Sequence, residues 1–179
     1  MQPQPVKRQA QRGYSIIELV NVMAIASAIA GTAIPSMGHM LDQQQLSSTT
    51  QDLVLAVNLA RSEAITRGGH VTLAPLDHQH WNSGWRIFAD ENGNGAFEGD
   101  ETAVRVFPAP PSNMKVDAKF GIYHGRALNF DSSGRLRRAN GSGMVLGHIT
   151  LEKGSAVRTL CFSKGTMRVV KSSECEQRS

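Results

Sequence analysis

The chain has 179 residues, 40% of them apolar, with 19 Lys and Arg against 15 Asp and Glu and a pI near 9.4. Once the first forty or so residues are set aside, that length supplies one modest folded unit and excludes two domains with separate cores. The charge is uneven: from Thr102 to the end there are thirteen basic residues against five acidic ones, so the last third carries the basic excess. The chain holds no G-x-S-x-G, H-E-x-x-H or Walker loop, which leaves catalysis without a motif to stand on.

In chain order, Lys7, Arg8 and Arg12 precede an apolar run that holds no formally charged residue from Leu19 to Leu41. At about 1.5 Å per residue this run reaches the ~30 Å hydrocarbon thickness of a bilayer. The basic flank keeps the short N-terminus cytoplasmic and exports the larger C-terminal part. A cleaved secretory signal, cut within "AIAGTAIPSM", is the competing reading. Glu18 argues against it, because a carboxylate in an apolar helix costs about 2.5 to 3.5 kcal/mol at the bilayer centre and so demands a partner. Pro35 removes one helical hydrogen bond and predicts a kink.

After this run, Leu46, Leu53, Val57, Ala60 and Ala64 recur at three- to four-residue steps, the pattern of an amphipathic helix continuing the first. Gly68 and Gly69 stop it, with Arg67 in the last turn. The two parts together make one helix of about fifty residues. From His70 onward short β runs alternate with turn clusters: "HVTLAPL", "GWRIFAD", "TAVRVFPA", "MKVDAKF", "RALNFD", "MVLGHITLE", "AVRTLCFS" and "MRVVKS". No second helix is evident. The divisions that follow are 1–13, 14–37, 38–69 and a β-rich head at 70–179.

Several clusters in the head are candidate sites. "DENGNGAFEGDE" fits the calcium-loop spacing through Asp90, Asn92, Asn94, Gly95 and Glu101, while its strand-like flanks also fit a hairpin with an Asn-Gly-rich turn. "SSGRLRRANG" gathers Arg135, Arg137 and Arg138 between glycines, with Arg126, Lys164, Arg168 and Lys171 elsewhere in the basic third. Such a cluster can hold phosphates, or can be a solvated basic hairpin facing an acidic partner or anionic lipid. Asp77, His78 and His80, with His70 nearby, lack a third well-spaced zinc ligand. Trp81 and Trp85 bracket a turn as a core-edge pair. Cys161 and Cys175 form a disulfide in an oxidising compartment, worth roughly 3 kcal/mol on the chain-entropy estimate, and stay as thiols in a reducing one.

"RGYSIIELV" resembles the class III signal of type IV pilins and type II secretion pseudopilins. "LARSEAITRG", "GWRIFADENGNG" and "FDSSGR" further resemble the GspH/FimT branch, the type II secretion pseudopilin H and the type IV minor pilin T. The resemblance implies an α+β fold: a long N-terminal α-helix, half transmembrane and half amphipathic, packed on an antiparallel β-rich head. It implies that 1–13 is a leader which the prepilin peptidase removes between Gly13 and Tyr14, with N-methylation of Tyr14. Glu18 then becomes the fifth residue of the mature chain and neutralises a neighbouring subunit's terminal amine, while Pro35 stands where the family has a proline. The implied protein is no enzyme and has no obligatory cofactor. It is a subunit anchored once in the bacterial inner membrane with a periplasmic head, whose partners are other major and minor pilins or pseudopilins. The branch also implies an alternative, since some of its minor pilins bind duplex DNA for uptake through a Gly-Arg-x-Arg loop, which "GRLR" from Gly134 to Arg137 matches.

Overall fold

The computed structural model describes residues 13–77, 80–120, 127–138, 145–163 and 165–175, and within its helix the side chains of 32–37 fall outside that description. Residues 1–12 of the leader expected at 1–13, together with His78, Arg126 and Lys164, therefore lie outside the described residues. The chain divides into two compact units, Met1–His39 and Met40–Ser179. The one α-helix among the described residues, α1, spans Ile16–Arg67.

In the first unit the helix opens on the Ser15 carbonyl, which accepts the N–H groups of Glu18 and Leu19 at 3.0 and 3.3 Å. The described side chains from Gly13 to Gly31 are all exposed, among them Tyr14, Ile16, Ile17, Val22, Ile25 and Ile29. Among the described residues no helix is long and apolar enough to cross a membrane. The span expected at 14–37 includes Pro35 and its neighbours, whose side chains are not described, and in the remainder Glu18, Asn21 and Ser27 dilute the apolar surface.

In the second unit the predicted face of α1 is the buried one: Leu46, Leu53, Val57, Ala60 and Ala64 are all fully inaccessible. The helix ends where the glycines stand. The Gly69 N–H bonds the Ala64 carbonyl and the Gly68 N–H bonds that of Ile65, satisfying carbonyls that would otherwise be orphaned.

Among the described residues nine strands follow: β1 Val71–Pro75, β2 Trp85–Ala89, β3 Ala103–Phe107, β4 Met114–Phe120, β5 Leu128–Phe130, β6 Leu136–Arg137, β7 Gly147–Lys153, β8 Ala156–Ser163 and β9 Thr166–Val170. They form two antiparallel sheets, ordered β3-β2-β1-β5-β6 and β4-β7-β8-β9. In β4 Met114, Val116 and Phe120 face in while Lys115, Asp117 and Lys119 face out, the period-two alternation of a sheet with one wet face. One apolar cluster joins α1 to both sheets through residues such as Leu73, Trp85, Ile87, Phe130, Ile149, Leu151 and Leu160.

Two elements differ from the sequence expectation. β6 lies inside the stretch read as a basic loop, because Leu136 turns inward to 3% exposure and Asn129 and Phe130 of β5 pair with Arg137 and Leu136. A short 3₁₀ turn, Trp81–Ser83, precedes β2 where only a linker was expected. At its end Gly84 has φ +94, and a Cβ there would stand 2.6 Å from the Phe107 carbonyl oxygen, so the chain after β3 passes closer than any side chain permits.

β1 is buried along its whole length, unlike an alternating strand. The loop 90–101 lies over the outward side of β1 and β2: Asp90 accepts from Thr72 Oγ1 of β1 at 2.6 Å, while Phe97 meets Phe88 of β2 edge-on at 5.2 Å and the Arg86 guanidinium of β2 stands 4.4 Å over the Phe97 ring.

Candidate functional sites

Glu18 lies in the first turn of α1, exposed among exposed apolar neighbours, and its carboxylate makes no hydrogen bond or ion pair among the described residues. Among the described residues nothing of its own chain neutralises it. Tyr14 is 89% exposed one turn before it.

The basic loop is organised by Asp131. Its Oδ1 accepts from the Ser133 N–H and hydroxyl at 2.9 and 2.6 Å and from the Arg135 N–H at 3.1 Å. Its Oδ2 accepts from the Arg137 Nε at 2.7 Å. Burial works against the charged form, but the donors from Ser133 and Arg137, together with the backbone N–H groups of Arg135 and Ser133, outweigh it. They hold the Asp131 carboxyl well below the usual carboxylate range. Of the three arginines predicted together, Arg137 is therefore committed to Asp131, while Arg135 and Arg138 are exposed and make no ion pair among the described residues. Gly134 seats the loop on α1: its φ is +72, and a Cβ would come within 2.8 Å of Ile65 Cδ1 and 2.9 Å of Arg61 Cγ. The Asp-x-Ser-Gly spacing of an Asx turn was the sequence signal for this arrangement.

The acidic loop has the hydrogen-bond frame of a calcium loop with the bonds closed on themselves. Asp90 is fully buried. Its Oδ2 accepts from Thr72 Oγ1, Asn129 Nδ2 and the Gly95 N–H at 2.6, 2.9 and 2.9 Å, and its Oδ1 from the Asn94 N–H at 3.0 Å. Asn92 and Asn94 each spend their single side-chain oxygen on a loop N–H, those of Asn94 and Ala96. Their amide nitrogens donate to Glu98 at 3.1 and 2.9 Å. An aspartate at either position would offer a metal a second, charged oxygen, whereas each asparagine has one neutral oxygen that already accepts a loop N–H. Glu101 accepts the Glu98 N–H through Oε2, and burial together with the nearby carboxylates of Asp90, Glu98 and Asp100 raises its pKa despite that bond. Among the described residues no group of three or more His, Cys, Asp and Glu is placed to hold a metal ion.

The remaining candidates separate. His80 pairs with Asp77 in an exposed local turn, Nδ1 to Oδ2 at 3.0 Å. Trp81 and Trp85 are both buried, ring centroids 6.3 Å apart. Cys161 on β8 and Cys175 are joined by a disulfide with Cα atoms 5.8 Å apart. Just before it the tail is held again, where Thr159 Oγ1 donates to the Ser172 carbonyl at 2.5 Å.

Sequence reasoning missed Lys153. At 3% side-chain exposure its ammonium donates to Gln45 Oε1 and to Asn113 Oδ1 at 2.6 Å, and stands 3.6 Å from Asp42. It ties β7 to α1 and to the turn before β4. No motif announces such a contact.

The family model for the type II transport protein GspH matches residues 49–166. The chain belongs to this family, and like its members it is a structural subunit of the pilin and pseudopilin class, not an enzyme. It is 24% identical over 156 residues to the pilin-like protein PilA1 of Thermus thermophilus, covering 86% of this chain and 94% of that one. Its fold is that of the type IV minor pilin FimU of Pseudomonas aeruginosa. One crystal form superposes with a TM-score of 0.56 at 18% identity, over 75% of this chain and 95% of that one, and the other with 0.52 at 19%, over 73% and 97%. Proteins of this class are filament-associated, membrane-anchored in general, and contact other pilins.

Proposed function

We propose that this chain is a minor pilin or pseudopilin that helps to initiate or cap a type IV pilus or a type II secretion pseudopilus. The observation that carries the reading is Glu18: a carboxylate with no ion pair among the described residues, at the start of a helix whose side chains are exposed throughout residues 14–31. Such a surface is stable only when other helices or lipid cover it, and covering it strands the charge unless a cation arrives with the cover. The terminal amine of a neighbouring subunit, freed by prepilin peptidase between Gly13 and Tyr14 and methylated, supplies that cation. In this reading 1–13 is the leader, 14–37 is held in the inner membrane before assembly, 38–69 continues the helix, and 70–179 is a periplasmic head.

The test is the mature N-terminus by mass spectrometry together with incorporation of a Glu18→Ala variant into filaments. A first residue of methylated Tyr14 and loss of incorporation support the reading; a different terminus, or normal incorporation, overturns it.

A second reading, a DNA-binding minor pilin for uptake in transformation, is favoured by the exposed and unpaired Arg135 and Arg138. Phosphate contacts from these two would give duplex affinity that falls steeply with salt. A mobility shift at low salt that disappears in Arg135→Gln, Arg138→Gln supports it. Because Arg137 is bound to Asp131, its replacement alone acts through the loop and not through a direct phosphate contact.

A further inference from the structure

The loop between β2 and β3 carries a chemistry that neither the helix start nor the Asp131 turn uses. Two Asn-Gly pairs, Asn92–Gly93 and Asn94–Gly95, stand side by side in it. An asparagine followed by glycine is prone to deamidation, because no side chain obstructs the glycine nitrogen. That nitrogen attacks the asparagine Cγ, and its proton leaves with the side-chain amine as ammonia. Water then opens the succinimide ring to an aspartyl or isoaspartyl residue. The step needs a glycine N–H able to give up its proton and a side chain able to swing its Cγ onto the nitrogen, so hydrogen bonds that hold either group oppose it.

The two pairs are held unequally. The Gly95 N–H donates to Asp90 Oδ2 at 2.9 Å, a charge-assisted bond to a fully buried carboxylate. Asn94 is half-buried, with its N–H on Asp90 Oδ1 at 3.0 Å, its Oδ1 accepting from the Ala96 N–H at 2.7 Å and its Nδ2 donating to Glu98 at 2.9 Å. The Gly93 N–H has only the neutral Asp90 carbonyl, at 3.2 Å. Asn92 is exposed, and its side-chain bonds are the longer ones: Oδ1 accepts from the Asn94 N–H at 2.9 Å and Nδ2 donates to Glu98 at 3.1 Å. Water reaches Asn92, and the nitrogen that would attack it is held by the weaker acceptor. At Asn94 every reacting group is tied more tightly.

We propose that Asn92 is a site of spontaneous, one-way deamidation, and that the same loop locks Asn94 against it. The consequence is conformational. Conversion replaces the donor that Asn92 offers to Glu98 by a carboxylate, so an attraction becomes a like-charge repulsion. Glu98 is pushed from its place between the two asparagines, and the loop that lays Phe97 on Phe88 and under Arg86 loosens over β2. No step restores the amide, so an old subunit differs from a newly made one at this loop. The inference stands apart from the filament reading.

The test incubates the full chain in detergent micelles at neutral pH in oxygen-18 water. Tandem mass spectrometry of the peptide 87–105, which contains both pairs, should find label at position 92 in a fraction that grows with time, while 94 stays unlabelled. The same chain unfolded in urea should label both positions at comparable rates. Glu98→Ala removes the acceptor of both side-chain amides and should speed labelling at 92 several-fold, with a smaller effect at 94, where Asp90 still holds the Gly95 N–H. In the converted protein the amides of 91–101 should exchange hydrogen several-fold faster than in fresh protein. Four results overturn the proposal: equal labelling at 92 and 94 in the folded chain, no label at 92 in the time the unfolded chain takes to convert, a Glu98→Ala chain that labels no faster, or a converted loop that exchanges at the original rate.

Discussion

Asp131 sets the character of the basic loop more than its arginines do. Its pKa is depressed in the folded chain, so the stability it contributes is complete above the unfolded value of about 3.9 and is lost as pH falls through the lower folded value. The melting temperature of the protein should therefore fall as pH drops below about 4, and Asp131→Asn should flatten that part of the profile while costing about 1–3 kcal/mol at neutral pH. Gly134 is constrained twice, by a left-handed φ and by the approach of Ile65. Gly134→Ala should cost about 1–2 kcal/mol or more in denaturant melts, because relieving either constraint lifts the loop from α1. The arginine cluster was legible in the sequence, but the division of labour within it was not. Which guanidinium meets Asp131 depends on β6 pairing back onto β5, a contact made six residues away in sequence.

Among the elements, α1 was the most readable, since its buried face follows from a 3.6-residue period alone. β6 escaped notice because two residues are too few to show alternation, and its one inward residue, Leu136, sits between arginines. The loop 90–101 was legible as a calcium-type spacing, yet its oxygens accept hydrogen bonds within the head, among them those from the Thr72 hydroxyl on β1 and the Asn129 amide on β5. Millimolar calcium should leave the melting temperature unchanged, and a calcium-dependent rise would show that the Asn92 and Asn94 amides give way to metal. Lys153 is the fastening between β7 and α1. Lys153→Ala should lower unfolding free energy by about 2–4 kcal/mol in urea, because it strands Asp42, Gln45 and Asn113 together.

At the scale of the whole molecule, the disulfide anchors the chain after β9 to β8 over a separation of 14 residues. Cys175→Ser should destabilise the protein by about 3 kcal/mol, read as a lower melting temperature, and a reducing agent should reproduce the change in the unaltered chain but not in the variant. The proposed membrane and filament roles rest on linear features: a basic flank, an uncharged run, and one acid at a fixed distance from Gly13. These are one-dimensional, so order along the chain by itself determined the long helix, its buried face, the β-rich class of the head and the family resemblance. Only the tertiary structure decided which polar groups are spent inside the head and which remain for a partner. Arg137, Asp90 and Lys153 are consumed by residues from other elements, whereas Arg135 and Arg138 are left over. The physical reason is that a buried charge needs its counterpart within a few ångströms, and those distances exist only after strands far apart in sequence have paired.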